Sequence, residues 1–321
     1  KRQAVTLARV VRSLAAMGVF QIQPVPEVER ASWLRRKLHE GLSKHSKERD
    51  ADVISDHYDV GNDFYELFLG DSMTYTCAYY PSPEATLDEA QENKYRLIFD
   101  KLRLKEGDRH LDVGCGWGGM VRYAAKRGVR SLGVTLSKEQ AEWGQAKIKE
   151  EGLEDYAEIR FMDYRDVTEE GFDAISAIGL LEHIGVKNYP DFFSFLHGKL
   201  KPGGLMLNHC ITYPDNHKTP KGGFIDRYIF PDGELSGSGT ITKCMQDAGF
   251  EVFHTESLRF DYMRTLHDWC ENLKETWEEA CSLVGLPTAR LWAIYMAGSE
   301  WGFEHNIINL YHFLGVKVGN A

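Results

Sequence analysis

The run His110-Leu111-Asp112-Val113-Gly114-Cys115-Gly116-Trp117-Gly118-Gly119 constrains the fold more than any other part of this chain. Apolar residues lead into it from Arg109, glycines punctuate it, and helix-compatible residues follow from Met120 to Lys126. It therefore reads as strand, tight loop and helix, with a ligand expected at the loop.

Two ligand classes compete for that loop. Gly114-x-Gly116-x-x-Gly119 satisfies the dinucleotide fingerprint, but a pyrophosphate on a helix N-terminus wants positive charge around it, and Asp112 stands immediately before the loop. A dinucleotide site also wants an acidic residue about 20 residues on, for the ribose. The next strand, Ser131 to Thr135, ends in threonine instead. S-adenosylmethionine carries an ammonium, a sulfonium and a ribose but no phosphate, so a carboxylate at the strand end favours it. A dinucleotide, or a glycine turn that binds nothing, stays open at this level.

At 321 residues the chain can bury a large core as one elaborated domain, or as one domain with an appendage. No apolar run of 18 residues exists, and Val5 to Phe20 carries Arg9 and Arg12 without a signal-peptide cleavage pattern, so a cytoplasmic location is expected. The six cysteines are scattered without Cys-x-x-Cys spacing, which suggests reduced thiols and no metal site. The net charge of -10 is unevenly spread: residues 1–50 hold eleven Lys or Arg against five Asp or Glu. A basic helical segment over 1–55 ahead of an acidic body over 56–321 is compatible with peripheral docking on an anionic membrane surface, and equally with a solvated helical face. The acidic body argues against nucleic acid. The segment begins without Met and reads as an appendage, or as the end of something longer.

Further along, His57 to Tyr80 is dense in aromatics and glycine, which fits either a lid over a site or a packing segment. Leu87 to Leu102 has helical spacing at Ala90, Tyr95, Ile98 and Phe99, and Ser137 is placed to cap a helix through Glu150. Strands are expected at 157–162, 172–178 and 205–209, with a final pair at 251–254 and 307–314 flanking two long helices. Alternating strands and helices imply an α/β fold with a doubly wound, mostly parallel, seven-stranded sheet. Ligands in such sheets sit beyond the carboxyl ends of the strands, where Asp112, Thr135, Asp163, Glu182 and His209 all fall.

The segments HYDVGNDFY (57–65), MTYTCAYY (73–80), LDVGCGWGG (111–119), GVTLSKEQ (133–140), LLEHIG (180–185), LKPGGLMLNH (200–209) and RYIFPDGEL (227–235) resemble, in order, the cyclopropane-fatty-acyl-phospholipid synthases and mycolic acid cyclopropane synthases. These are class I, Rossmann-like S-adenosylmethionine-dependent methyltransferases, and the likeness runs from about His57 to Leu314. It implies that Tyr75, Thr76, Asp112, Gly114, Gly116, Trp117, Gly118, Thr135, Leu136, Gln140, Asp163 and Tyr164 contact S-adenosylmethionine. It also implies that Cys77, Glu182, His209, Ile211 and Tyr295 hold a bicarbonate ion as the catalytic group. Ser299 departs from the pattern, standing where many relatives have a cysteine.

The resemblance implies a lipid C-methyltransferase that adds a methylene bridge to a cis double bond of a phospholipid-bound unsaturated acyl chain. An alkene is a poor nucleophile but a sulfonium methyl is a strong electrophile, and a nearby anion then takes a proton from the new methyl as the ring closes. In this reading Glu182, which cannot donate to an anion, orients His209 or accepts a proton. Phe192, Phe193, Phe195, Phe224, Tyr228 and Phe230 suffice to line an acyl channel. A methyl- or methylene-branched product, a small-molecule methyltransferase and a homodimeric assembly remain compatible with the sequence.

Overall fold

The computed structural model describes residues 61–216, 228–230 and 233–319. The basic segment 1–55, Phe224 and residues 57–60 of the 57–65 motif lie outside the described residues.

A seven-stranded sheet forms the centre, in the order β3-β2-β1-β4-β5-β7-β6. The strands are β1 Arg109–Val113, β2 Arg130–Thr135, β3 Ala157–Phe161, β4 Phe172–Ile178, β5 Leu200–Thr212, β6 Phe250–Ser257 and β7 Asn309–Lys317. β1 to β5 pair in parallel, whereas β7 runs antiparallel between β5 and β6. This is the class I methyltransferase arrangement expected from the sequence. The Lys201–Gly204 stretch loops out between the pairs Phe172↔Leu200 and Ala174↔Leu205, so β5 begins earlier than its apolar run suggests.

The helices are α1 Asn62–Leu69, α2 Leu87–Lys101, α3 Gly119–Ala125, α4 Lys138–Glu150, α5 Leu181–Ile184, α6 Tyr189–Lys199, α7 Ser238–Asp247, α8 Arg259–Glu275 and α9 Trp277–Glu304. Local chemistry sets their starts. Thr86 and Glu89 close a capping box on α2, and the Ser137 side chain accepts from the Gln140 N–H at the start of α4. Gly285, at φ 79°, breaks α9 two residues before Pro287, so this helix is two rods across a kink.

One face of the sheet packs against α2 through Tyr95, Ile98, Leu205, Leu207 and Leu314, and the other against α6 and α7 through Phe192, Phe193, Leu196, Ile241 and Met245. A third cluster, rich in aromatics, joins α1, α8 and α9. There Phe64, Tyr65 and Phe68 meet Trp269 and Trp292 at ring-centroid distances of 5.4–6.3 Å. In the aromatic segment before the sheet, Phe64 and Phe68 are core, while residues 73–76 face the cleft described next. Among the described residues no helix is long and apolar enough to cross a membrane.

Candidate active site

A cleft opens at the carboxyl ends of β1, β2 and β4, where the strand order reverses direction. Its floor is the glycine loop. Gly114 and Gly116 take φ 72° and 56°, a region open to glycine but strained for residues with a Cβ, and this brings the backbone to the cavity wall. Asp112, Trp117, Thr135, Leu136, Gln140 and Tyr164 line the same cleft, with Tyr75 and Thr76 across from them.

Asp112 is buried, and a chain of hydrogen bonds fixes it. Ser131 Oγ meets His110 Nδ1 at 2.8 Å, His110 Nε2 meets Ser176 Oγ at 2.9 Å, and Ser176 donates to Asp112 Oδ1 at 2.5 Å. Because the serine proton is spent on the carboxylate, His110 donates from Nε2. Burial pushes the Asp112 carboxyl up to about 7, against the opposing pull of Ser176 and Lys94. Burial likewise brings Lys94 down to about 7, with Cys77 and Asp112 opposing it. Lys94 Nζ donates to Thr76 Oγ1 at 2.9 Å, and its neighbour Gln91 holds the Thr76 carbonyl at 3.0 Å, so α2 clamps the 74–76 segment onto the cleft. Thr135 Oγ1 donates to Gln140 Oε1 at 2.8 Å.

A second polar group lies one strand over, at the end of β5. Glu182, at the start of α5, accepts the Ile211 N–H on Oε1 at 2.7 Å, while its buried Oε2 has no partner among the described residues. Burial raises its carboxyl to about 7. Tyr75 donates to the Tyr295 hydroxyl at 3.2 Å, which leaves the Tyr295 proton to be given elsewhere; burial, with a smaller contribution from Glu182 and against the Tyr75 hydrogen bond, pushes the Tyr295 hydroxyl up to about 12. Cys77 and Tyr295 share the aromatic cluster against which Ile211 packs. The Cys77 thiol is buried, donates to the Ala78 carbonyl at 3.1 Å and is held protonated by burial. His209 is also buried, with Nδ1 on His312 Nε2 at 2.8 Å and Nε2 without a partner among the described residues.

Residues 45–313 match the family described as mycolic acid cyclopropane synthetase. The chain belongs to this family. A probable fatty acid methyltransferase of Mycobacterium tuberculosis is 60% identical over 313 residues, covering 97% of this chain and 73% of that protein. The cyclopropane-fatty-acyl-phospholipid synthase of Escherichia coli is 35% identical over 280 residues, covering 85% of this chain and 71% of that one. The crystal structure of mycolic acid cyclopropane synthase CmaA1 complexed with SAH and CTAB superposes with a TM-score of 0.77 at 32% identity, covering 83% of this chain and 98% of that one. The protein is thus an S-adenosylmethionine-dependent methyltransferase of the cyclopropane synthase type.

The geometry of this methyltransferase departs from the sequence expectation in four places. Gly118 does not line the cleft: it starts α3 at φ 79°, and a Cβ there would lie 2.1 Å from Ile159 Cδ1, so its role is close helix–strand packing. Asp163 does not line it either, because Arg165 closes across both carboxylate oxygens at 2.8 and 2.6 Å. Glu182 holds the Ile211 backbone rather than His209, whose ring is oriented by His312. Phe192, Phe193 and Phe195 belong to the core beneath α6, against Tyr164, rather than to a channel. Of the remaining aromatics, Tyr228 is exposed, and Phe230 stacks edge-on to Tyr295 at 5.7 Å and to His183 at 5.5 Å.

Sequence reasoning missed Lys94, Tyr95 and His183, which also line the cleft. For Lys94 a signal existed: Gln91 and Lys94 fall among Ala90, Tyr95 and Ile98 on the face of α2 that the apolar spacing buries. A buried amine at such a position demands a polar partner.

Proposed function

We propose that this enzyme transfers a one-carbon unit to a cis double bond of a phospholipid-bound acyl chain, closing a cyclopropane ring with bicarbonate as the base. The observation that supports it is a pair of buried polar atoms without partners at the end of β5, the acceptor Glu182 Oε2 and the ring nitrogen His209 Nε2. Buried polar atoms of this kind call for a partner, an ion or a water, that the described residues themselves do not supply.

The cleft suits the cofactor. Asp112 offers a carboxylate to a cationic aminoacyl group, and the Gly114 to Trp117 loop admits it closely. The Thr135–Gln140 pair stands where a ribose needs partners. When bound, S-adenosylmethionine supplies an electrophilic sulfonium methyl. Tyr75 and Trp117, with the Tyr295 ring behind them, wall the route with aromatic faces that suit an acyl chain and exclude water. His209 Nε2 and the Tyr295 hydroxyl would hold the bicarbonate. Glu182, poised near neutrality, can take up a proton at Oε2. An opposite charge about 4 Å from a carbocation contributes on the order of 4 kcal/mol at an effective dielectric near 20, which makes an anion there worthwhile.

The test is mass spectrometry of lipids from an expressing host, with activity assayed in bicarbonate-depleted buffer. We expect acyl chains heavier by one CH2 whose fragmentation shows a ring, and activity restored by added bicarbonate. Full activity without bicarbonate would remove the base from this reading. A gain of CH2 plus two hydrogens would replace the ring by a saturated branch, and unchanged lipids would turn attention to a small soluble substrate.

A further inference from the structure

The ring of His209 ends a buried hydrogen-bonded row that crosses the sheet edge. His312 sits on β7 directly opposite His209 on β5, and both rings are almost completely removed from solvent. His312 Nε2 lies 2.8 Å from His209 Nδ1, and His312 Nδ1 lies 2.9 Å from Nζ of Lys101, the last residue of α2. Lys101 in turn forms an ion pair with Glu256 on β6.

Direction follows from donor chemistry alone. A lysine ammonium has protons to give and no lone pair, so His312 must accept at Nδ1. A neutral imidazole carries one proton, which then resides on His312 Nε2 and is donated to His209 Nδ1. By the same rule the proton of His209 is left on Nε2, the buried nitrogen without a partner among the described residues.

We propose that Lys101 and His312 are positioning residues that lock His209 in its neutral Nε2–H form, so that the enzyme presents a fixed hydrogen-bond donor where the anionic base is held. The proposal rests on the reading of His209 as part of the anion site. A network serving only the fold would close on itself, whereas this one delivers its last proton to an atom with no partner. The surroundings keep both rings neutral. For His209 burial acts first, then Lys94 and Lys101 from α2; for His312 burial is followed by His209 itself, then Lys101, Lys94 and His254 of β6; Glu256, the one acid in the row, pairs with Lys101. The locked form also explains why an imidazole, not a lysine, occupies the position: it donates one directed proton while adding no charge that would neutralise the base.

The test is long-range proton–nitrogen NMR of the whole chain labelled with ¹⁵N-histidine, paired with steady-state kinetics. In the wild type we expect both rings as Nε2–H forms throughout about pH 6 to 9. His312→Gln can accept from Lys101 and donate to His209, so it should keep the His209 form and hold kcat within about threefold. His312→Leu should let His209 mix its two forms and lower kcat about tenfold or more, with KM for S-adenosylmethionine within about twofold. Lys101→Met, at the end of a helix, provides the same break should His312→Leu fold poorly. A wild-type His209 protonated on Nδ1, or an unchanged His209 form in both breaking variants, overturns the lock. If the lock is seen and is lost as expected while His209→Ala keeps full turnover, the lock stands and the anion-site reading of His209 falls.

Discussion

Asp112 and Glu182 are two carboxyl groups buried at neighbouring strand ends, both raised by burial to about 7, yet their surroundings differ, and the proposed function gives them opposite tasks. Asp112 ends a row of hydrogen bonds from Ser131 through His110 and Ser176, and the amine of Lys94 lies close enough to favour its charged form. Glu182 is held by backbone N–H groups, that of Ile211 at 2.7 Å on Oε1, and its Oε2 has no hydrogen-bond partner among the described residues. The first is held ready to stay charged when a cation arrives. The second is held ready to change its protonation. Burial alone thus does not define a carboxylate's role; the hydrogen-bond donors and charges around it do.

The sharpest way to break this contrast is a crossed pair of substitutions. Glu182→Gln keeps the Ile211 contact but cannot take a proton, so kcat should fall about a hundredfold or more while S-adenosylhomocysteine affinity is unchanged. Asp112→Asn should do the reverse, weakening the cofactor about tenfold to thirtyfold through loss of a charge-assisted contact, with a smaller effect on kcat at saturation. Titration calorimetry and saturation kinetics on both variants decide it. A Glu182→Gln enzyme that merely binds its cofactor poorly would show that the two carboxylates share one task.

pH sharpens the comparison next. As pH falls through about 7, Asp112 gains a proton and Lys94 becomes charged, so the cleft loses its anion and gains a cation. Both changes oppose a cationic ligand. S-adenosylmethionine affinity should therefore be level above neutrality and fall by up to about tenfold per pH unit below it. In Asp112→Asn most of that dependence should disappear. A wild-type affinity that is flat from about pH 5 to 8 would mean that the cofactor is held without the carboxylate's charge.

These two regions also differ in how they are written in the chain. The cleft rests on contiguous motifs, the glycine loop and the 135–140 segment, where strand, turn and cap follow from local residue types; the sheet alternation and the Ser137 cap were readable for the same reason. The β5 site draws α2, α5, β5, β6 and β7 together across large sequence separations. No period in the sequence places Lys101 on His312, or turns Glu182 to a backbone N–H rather than to His209. For Asp163 the position at a strand end is legible, whereas its capture by Arg165 two residues on depends on rotamers. The α6 phenylalanines satisfy a core period and a channel composition alike, and only the packing of the sheet face decides between them.

The smallest effect is on stability, and it tests whether Glu182 is strained by its task. Its folded pKa lies above the ordinary carboxylate value, so the native state binds more protons than the unfolded chain between about 4.3 and 7. The sign follows: stability declines as pH rises across that window and is level above it. Glutamine carries no charge to bury and can still accept from Ile211. Glu182→Gln should therefore unfold later than the wild type at about pH 8, by on the order of 1–3 kcal/mol or a few degrees in Tm, and the gain should vanish by about pH 4.5. Asp112→Asn should gain less, because the amide accepts the Ser176 hydroxyl more weakly than a carboxylate does and gives up the attraction of Lys94. Thermal melts of the three proteins across pH settle the point. An inactive Glu182→Gln enzyme that is also less stable at pH 8 would identify Glu182 as a structural strut of the β5 end, whereas one that is inactive and more stable would mark a carboxylate retained for chemistry at the expense of the fold.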